Sequence, residues 1–432
     1  MRQPPLSTVV RTLAAALPTA EPASPVRLQG WVHRRRELAR VTFLVVRDRS
    51  GLAQVVLPAG AEVPPEETPV EVTGTATANA QAPGGIEITE ATVTALGEPA
   101  DTPAVELWRP TLDTGLPTQL DHAATTWRHP VQRAKWELAA ASLFGFRASL
   151  DATGFTEVHS PKLVDSATES GANVFEVDYF GRPAYLAQSP QFFKQQLVGI
   201  FERVYEVGPV FRAEPHDTVR HLAEYVSLDV ELGFVRDHRE VIACLRDTVA
   251  GMVAGIHERA GDAVERLGIT VPEVPAELPL LHFREALEIA GAPADEPDLS
   301  PAHERALGEW AMHEHDSDFV VVEGYPTASR AFYSHPDPDE PHWSRSFDLL
   351  FRGLELVSGA QRLHRYADYV AALEQRGYPL EAYASYVEAF RRGIPPHGGF
   401  AIGLERWVAR LVEAANIREA TLFPRDLHRL AP

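Results

Sequence analysis

The chain has 432 residues, of which 45% are hydrophobic, so it is long enough for two or three domains and too apolar to be disordered as a whole. Its net charge of −20 argues against a nonspecific nucleic-acid binder, and the single cysteine, Cys244, excludes an internal disulfide and a cysteine-based metal cluster. No run of about 18 apolar residues is present and no signal peptide is visible, so we expect a cytoplasmic protein without a membrane span.

The first hundred residues are predicted to form a small β-barrel. Residues 26–96 contain five segments that are rich in the residue types of strands: VRLQGWVH, VTFLVVRD, LAQVVL, VEVTGTATA and IEITEATVTAL. This number of strands in about 70 residues is typical of an OB-fold or of another small antiparallel barrel. Seven arginines against two acidic residues give 27–49 a local positive charge. We assign 1–103 to this domain and the Pro-bearing stretch 104–130 to a hinge.

The pattern changes at Val131. Residues 131–153 carry apolar side chains at helical spacing and precede Gly154, a residue suited to a helix C-terminus. Helical and strand-like segments then alternate irregularly. We predict antiparallel strands at four places: 203–212, 225–234, 346–357 and 398–404. Residues 131–432 are therefore predicted to form one large α+β domain.

The strongest local signal is the segment FRAEPHDTVRHLAEY. Arg212 and Glu214 lie on one face of a predicted strand because side chains alternate along a strand. Arg220, His221 and Tyr225 follow them across a polar loop. Such a hairpin can offer guanidinium groups to phosphates, a carboxylate to an amine and a ring to a base, or it can be a salt-bridged surface hairpin.

Two further segments contain residues that could bind a nucleotide. In GLELVSGAQRLHR, Glu355 and Ser358 supply oxygen atoms of the kind that magnesium prefers, and Arg362 supplies a fixed cation. In PPHGGFAIGLERWVARL, glycines such as Gly403 permit close approach of a ligand, and Arg406 lies near the start of a predicted helix. Taken singly, the first is also compatible with a buried strand end and the second with a packing role.

The order of these segments resembles one family. GFTEVHSPKL, FRAE with its distal Arg-His, and GLER look like motifs 1, 2 and 3 of a class II aminoacyl-tRNA synthetase, and the barrel resembles the anticodon-binding OB domain of the aspartate, asparagine and lysine subgroup. The whole chain is most similar to the shorter archaeal-type aspartyl-tRNA synthetases. The resemblance implies an α+β architecture, an N-terminal OB-fold barrel followed by an antiparallel-sheet catalytic domain, and a homodimer built around the motif 1 that Pro161 closes.

The resemblance also implies roles for individual residues. Arg212, Glu355 and Arg406 are implied as catalytic, and Glu355 and Ser358 as the magnesium-associated pair. The residues implied for ATP are Arg212, Ala213, Glu214, Arg220, His221, Leu222, Tyr225, Glu355, Gly403, Leu404, Glu405 and Arg406. Those implied for L-aspartate are Glu169, Gln191, Lys194, Arg212, Asp229, Ser358 and Arg362. Those implied for the anticodon are His33, Phe43, Gln54, Pro83 and Glu87.

The amino-acid pocket decides between substrates. Two cations, Lys194 and Arg362, favour the carboxylate of aspartate over neutral asparagine. The chain has only three lysines, and one of them falls at this position. Asparaginyl-tRNA synthetases usually lack a lysine at the position of Lys194.

His33 and Pro83 resemble the form of the family that charges both tRNA-Asp and tRNA-Asn. The predicted function is therefore ATP-dependent, Mg²⁺-assisted aspartylation of tRNA-Asp and of tRNA-Asn. The alternatives are an enzyme restricted to tRNA-Asp, an asparaginyl-tRNA synthetase, an asparagine-forming ammonia ligase and a non-catalytic paralogue.

Overall fold

The structure is a computed structural model that describes residues 10–165 and 173–431. The chain divides into two compact units, Met1–Pro130 and Val131–Pro432. Residues 104–130, expected to act as a hinge, contain two short helices, α1 (Leu116–Asp121) and α2 (Ala123–Thr126). Whether this segment bends in solution stays a prediction. No helix of the described residues is both long and apolar enough to cross a membrane.

The first unit contains a closed barrel. Its strands are β1 (Arg11–Thr12), β2 (Pro25–Glu37), β3 (Val41–Arg47), β4 (Leu52–Pro58), β5 (Pro69–Ala78) and β6 (Ile86–Ala95). The sheet order is β1-β2-β3-β4-β6-β5, and the additional pairing of β2 with β5 closes the barrel. Buried and half-buried residues alternate along β3, β4 and β5, because only one face of each strand points into the core. The five predicted strands are present, and the prediction missed β1 and the last four residues of β2.

The second unit is built on an eight-stranded sheet. Its strands are β7 (Thr156–Glu157), β11 (Arg203–Phe211), β12 (Glu224–Gly233), β13 (Leu280–His282), β14 (Phe319–Glu323), β15 (Ser346–Phe351), β16 (Leu354–Gln361) and β17 (His397–Gly403). The order is β13-β14-β15-β16-β17-β12-β11-β7, and the pairs are antiparallel except β13–β14 and β7–β11. A small separate sheet contains β8 (Leu163–Val164), β9 (Glu176–Tyr179) and β10 (Arg182–Leu186).

One predicted strand is wrong in its extent. The segment 346–357 is a hairpin of β15 and β16 rather than a single strand. The chain reverses at Arg352 and Gly353, whose φ angles are 47° and 71°. Glycine adopts such positive φ values without steric cost, so the Arg-Gly pair marks a turn that strand propensity alone obscures.

Helices cover the sheet. They are α3 (Pro130–Ala152), α4 (Gln191–Phe201), α5 (His238–Arg259), α6 (Gly261–Leu267), α7 (Phe283–Ala290), α8 (Pro301–His315), α9 (Tyr366–Gln375), α10 (Ala384–Val387) and α11 (Leu404–Leu411). The main core joins α3, α5 and α11 to the central strands. Helices α3 and α5 approach so closely that a Cβ atom on Gly145 would lie 2.1 Å from the carbonyl oxygen of Gly251. The Trp407 indole of α11 donates a 2.9 Å hydrogen bond to Ser142 of α3.

Candidate active site

Strand register brings the three sequence motifs side by side. Strand β17 lies between β12 and β16, with Ser227 opposite Gly403 and Ser358 opposite Ala401. The hairpin of β11 and β12, the β16 segment and the glycine-rich β17 segment therefore form one continuous surface. Asp348 of β15 lies opposite Ser358 and extends the same row. Residues more than 100 positions apart in sequence become neighbours because their strands are paired.

A first cavity of about 270 Å³ opens on this surface. Ten of the twelve residues predicted for ATP line it: Arg212, Glu214, Arg220, His221, Leu222, Tyr225, Glu355, Gly403, Glu405 and Arg406. Ala213 and Leu404 do not. The Leu404 side chain is buried in the hydrophobic core, and the Ala213 backbone N–H donates to the carbonyl of Asn173, so both have local structural contacts.

Charged side chains and the Tyr225 ring line this first cavity. The Arg212 guanidinium carbon lies 5.8 Å from the centroid of the Tyr225 ring, and a guanidinium nitrogen lies 3.9 Å from Glu214. Arg406 lies 3.5 Å from the carboxylate of Glu355 and donates to the Glu355 carbonyl at 3.1 Å. A cavity lined by the guanidinium groups of three arginines and by the Tyr225 ring suits the phosphates and base of a nucleotide.

Glu405 differs from the other acidic groups of this cavity. Both its carboxylate oxygens accept from the Val226 backbone N–H, each at 3.1 Å. Burial raises the pKa of Glu405 to about 7. Its carboxyl group therefore ties α11 to β12, and most of the side chain is withdrawn from the cavity.

A second cavity of about 240 Å³ adjoins the first. Six residues predicted for aspartate line it: Gln191, Lys194, Arg212, Asp229, Ser358 and Arg362. The seventh, Glu169, lies outside the described residues. Both cavities are lined by Arg212, Tyr225, Ser227, Ser358 and Ala401. A molecule in one cavity can therefore react with a molecule in the other at the shared wall, where Arg212 and Ser358 lie.

In the second cavity, the two cations predicted for the aspartate side chain already have carboxylate partners. Lys194 Nζ lies 3.0 Å from Asp229 and 3.4 Å from Glu231, and Arg362 Nε lies 3.1 Å from Glu231. Burial would raise the pKa of Glu231, but Arg362 and Lys194 hold it below its ordinary value. From the sequence, Lys194 and Arg362 were expected around the substrate carboxylate, with Asp229 in the same pocket. The structure instead shows two positive and two negative groups in one cluster, so the net charge of this cluster is close to zero.

Glu231 was missed by the sequence analysis, although a signal for it existed. It lies two positions after Asp229 on β12, and residues two apart on a strand share a face. Two carboxylates on a buried face require cations opposite them, and Lys194 and Arg362 were already expected there. Strand periodicity could therefore have predicted the four-charge cluster.

Arg330 and Asp348 were also missed. Arg330 contacts both carboxylate oxygens of Asp348, at 3.2 and 2.6 Å, and donates to the Ser358 hydroxyl at 3.3 Å. Its guanidinium carbon lies 3.6 Å from the centroid of the Tyr325 ring. Only the register of β15 against β16 places Asp348 beside Ser358, so spacing along the chain carried no signal for this pair.

All three lysines of the chain are in ion pairs. Lys194 has the partners described above, Lys162 lies 2.5 Å from Glu206, and Lys135 lies 3.5 Å from Glu419. The scarcity of lysine therefore does not single out the substrate pocket, because each lysine serves as the counter-ion of a carboxylate.

Glu355 and Ser358 fit a magnesium ion as a two-oxygen set. Both line the first cavity, and hard oxygen donors suit Mg²⁺, which commonly takes its other ligands from water and substrate phosphates. Desolvation and the nearby carboxylate of Asp348 raise the pKa of Glu355 to about 7. A divalent cation would offset this unfavourable negative charge. Within the described residues, no group of three or more His, Cys, Asp or Glu side chains is arranged to hold a metal without a substrate.

In the barrel, Gln54 contacts Glu87, and Phe43 lies on β3, the strand that pairs with the Gln54 strand β4. Phe43 is half-buried between the buried residues Thr42 and Leu44, so it lies on the outward face of β3 rather than in the core. Gln54 donates a 2.9 Å hydrogen bond to Glu87, which is largely buried rather than freely solvated. An outward ring beside amide and carboxylate groups is suited to stacking on a base and bonding to its edge.

His33 and Pro83 have different surroundings. Pro83 is exposed at the start of a turn before β6. The register of β2 on β3 shifts between Val32 and Arg34, and this bulge turns His33 inward, where it is 6% exposed and 3.0 Å from Arg47. Burial and Arg47 lower the pKa of His33 to about 4. In this conformation His33 can influence RNA binding only through its neighbours.

Comparisons with known proteins identify the family of the chain. Residues 116–427 match the family of class II tRNA synthetases (D, K and N), and residues 26–95 match the OB-fold nucleic-acid-binding domain. The chain is 43% identical to the aspartate–tRNA(Asp/Asn) ligase of Deinococcus radiodurans, with 99% of this chain and 100% of that protein covered. It is 45% identical to the enzyme of the same name from Thermus thermophilus, with 94% and 96% covered.

Solved structures give the same class. The asparaginyl-tRNA synthetase of Pyrococcus horikoshii, solved with asparaginyl-adenylate, superposes with a TM-score of 0.90 at 29% identity and covers 98% of this chain and 100% of its own. The chain belongs to the class II tRNA synthetases of the D, K and N group, and it carries their OB-fold domain. It is thus an aminoacyl-tRNA synthetase, a ligase that uses ATP.

Proposed function

We propose that this chain is a non-discriminating aspartyl-tRNA synthetase, which activates L-aspartate with ATP and transfers it to both tRNA-Asp and tRNA-Asn. The single observation that carries the proposal is the pair of adjoining cavities. One is lined by guanidinium groups and a ring suited to a nucleotide, the other by Lys194 and Arg362, and both share Arg212. The relatives at 43% and 45% identity are named for aspartate and for both tRNAs, which supports the same assignment.

The first step joins the two substrates. The α-carboxylate of aspartate attacks the α-phosphorus of ATP, and pyrophosphate leaves with the electrons of the broken P–O bond. Arg212 lies at the shared wall, where its guanidinium can contact both the attacking carboxylate and the α-phosphate. Preorganised charge of this kind lowers the barrier without a protein nucleophile. When bound at Glu355 and Ser358, Mg²⁺ would supply further neutralisation of phosphate charge.

The remaining residues bind and orient. Tyr225 and Arg406 lie on the walls of the first cavity where they can cover the two faces of adenine. Lys194 and Arg362 point hydrogen-bond donors at the aspartate side chain, and Gln191 lies beside them in the second cavity. The 3′-hydroxyl of the terminal adenosine of the tRNA then takes the aspartyl group from the adenylate, and AMP leaves.

Parallel charging of two tRNAs tests the proposal. Purified protein, ATP, Mg²⁺ and labelled aspartate are incubated with tRNA-Asp or with tRNA-Asn, and labelled asparagine replaces aspartate in matched reactions. We expect both tRNAs to be charged with aspartate and neither with asparagine. Charging of tRNA-Asp alone would show a discriminating enzyme, and charging with asparagine would support the asparaginyl alternative.

We also propose that the enzyme is a cytoplasmic homodimer in which the motif 1 region, from α3 to Pro161, forms the subunit contact. The support is the family assignment, because motif 1 forms the subunit contact in this family. Sedimentation equilibrium of the purified protein tests the proposal, and a mass of 47.5 kDa over the whole concentration range would refute it.

A further inference from the structure

A buried polar network lies behind the second cavity, outside the residues that line it. Its centre is the fully buried side chain of Gln195 on α4. The Gln195 Nε2 atom lies 3.0 Å from the Tyr369 hydroxyl of α9 and 2.8 Å from His397 Nε2 of β17. Its Oε1 atom accepts a 2.8 Å hydrogen bond from the Tyr386 hydroxyl of α10. One amide therefore joins α4 to three other elements.

The chemistry of the partners fixes the direction of these hydrogen bonds. A carbonyl oxygen can only accept, so His397 Nδ1, which lies 2.9 Å from the carbonyl of Pro395, carries a proton. Burial lowers the pKa of His397 to about 4, which leaves the ring neutral near pH 7 and its Nε2 atom an acceptor. The Gln195 amide therefore donates one hydrogen to His397 and the other to Tyr369. Because both ends of the amide have partners, the side chain is held in one orientation.

On one side, the network holds the helix that carries Lys194. Gln195 follows Lys194 directly on α4, and Gln191, another residue of the second cavity, lies one turn earlier. The Phe192 ring of the same helix stacks on the Tyr386 ring at a centroid distance of 4.0 Å. A hydrogen bond and a ring contact therefore join α4 to α10.

On the other side, the network holds the segment that carries Arg362, directly after β16. The Tyr369 hydroxyl donates to the carbonyl of Leu363, the residue after Arg362, at 2.8 Å. The Arg362 backbone N–H donates to the carbonyl of His397, also at 2.8 Å. Tyr369 and His397 both accept from Gln195, so one amide ties the backbone around Arg362 to α4.

We propose that Gln195 is a positioning residue of the aspartate pocket, whose amide fixes the separation of Lys194 and Arg362. The proposal rests on the proposed function, because it takes aspartate as the occupant of this pocket. Groups that bind a substrate must be held within about 0.5 Å of the productive geometry by the residues around them. The ion pairs with Asp229 and Glu231 hold the charged ends of the two cations, whereas Gln195 holds the backbone from which they extend.

Two substitutions remove parts of the network without changing a residue that lines either substrate cavity. Gln195→Met keeps the length of the side chain and removes all hydrogen bonds of the amide. Tyr386→Phe keeps the ring that stacks on Phe192 and removes only the hydroxyl. Tyr383→Phe is the matched control, because Tyr383 belongs to the same aromatic cluster and its hydroxyl makes no hydrogen bond to a described residue. For each protein, ATP–pyrophosphate exchange gives kcat and the KM for aspartate and for ATP, and urea denaturation gives the stability.

We expect Gln195→Met to raise the KM for aspartate about tenfold and to leave the KM for ATP within about twofold, because Lys194 and Arg362 stay charged but lose their fixed separation. Tyr386→Phe should raise the KM for aspartate about threefold, since the amide keeps its other two partners. Tyr383→Phe should stay within about twofold of the wild type for both substrates. A merely structural role would lower stability and kcat without a selective change in the KM for aspartate.

An unchanged KM for aspartate in Gln195→Met and Tyr386→Phe would overturn the positioning role, as would equal rises in the KM values for aspartate and ATP. If Gln195→Met does not fold, the comparison of Tyr386→Phe with Tyr383→Phe decides, and equal KM values for aspartate in these two would overturn the role. A wild type without aspartate-dependent exchange would refute the proposed function and this inference with it. An active wild type with the same KM values as its variants would refute the role of Gln195 alone.

Discussion

Replacement of Lys194 by methionine tests the four-charge cluster most directly. Methionine keeps much of the length of the side chain and removes the charge, so the packing of α4 is disturbed little. The Lys194 side chain is 3% exposed, and its ammonium group lies 3.0 Å from Asp229 and 3.4 Å from Glu231. In the variant Glu231 keeps Arg362, whereas Asp229 keeps, among the residues that the structure describes, only the hydroxyl of Ser227, which donates to it at 2.6 Å.

The expected loss of unfolding free energy in Lys194→Met follows from this arrangement. Two unit charges 3.0 Å apart attract by about 5 kcal/mol at an effective dielectric constant of about 20, before the cost of desolvation is subtracted. Removal of one partner from a buried pair typically lowers the free energy of unfolding by about 3–5 kcal/mol. Because Ser227 still binds Asp229, we expect Lys194→Met to fall near the lower value, about 3 kcal/mol.

Urea denaturation at neutral pH measures this loss, with Lys135→Met as the matched control. Lys135 pairs with Glu419, whose side chain is 30% exposed and can be hydrated, so the control should lose about 1 kcal/mol or less. We also expect Lys194→Met to lose aspartate-dependent ATP–pyrophosphate exchange. Equal stability of the two variants would refute the cluster reasoning, and unchanged exchange would remove Lys194 from the aspartate pocket.

Three further predictions concern other parts of the chain. Burial raises the pKa of Glu405 from 4.5 to about 7, so its contribution to stability is present at low pH and is lost as the pH rises through 7. Between pH 6 and 8, urea denaturation should show that the wild type loses about 1 kcal/mol of unfolding free energy. The Glu405→Gln variant should not show this loss. Arg212→Ala should lower the rate of ATP–pyrophosphate exchange about a hundredfold or more, because it removes a donor from the reacting phosphate; near-normal exchange would contradict its role. Phe43→Ala should raise the KM for tRNA about tenfold by loss of base stacking while exchange without tRNA stays unchanged, and an unchanged KM would refute the stacking role.

The fold could be predicted from the sequence where local pattern and tertiary structure agree. The five main barrel strands and α3 follow directly from residue type and spacing. The predictions were less accurate where the local backbone structure depends on strand pairing or on a turn conformation. Strand β1 is only two residues long and exists because it pairs with β2, and the reversal at Gly353 depends on a positive φ that a strand-rich segment hides.

The candidate site divides in the same way. Residues carried by a motif, such as Arg212 and Arg406, were predicted because the motif itself specifies their chemistry. Asp348 and Arg330 could not be predicted from the sequence. Their place in the site depends on the pairing of β15 with β16 and on a contact across the cavity. His33 was identified by position, but its inward orientation depends on a bulge that residue type does not reveal.

Near-neutrality of the Lys194 cluster changes the physical reason for a preference for aspartate. A substrate carboxylate gains little from net charge where Asp229 and Glu231 already balance Lys194 and Arg362. Hydrogen-bond chemistry supplies the preference instead, since ammonium and guanidinium groups can only donate. Both oxygens of an aspartate side chain can accept hydrogen bonds from these groups. The amide nitrogen of asparagine carries N–H groups, which cannot accept a hydrogen bond from an ammonium or a guanidinium group. One misplaced donor in a desolvated pocket costs about 1–3 kcal/mol, enough to select aspartate without an excess of positive charge.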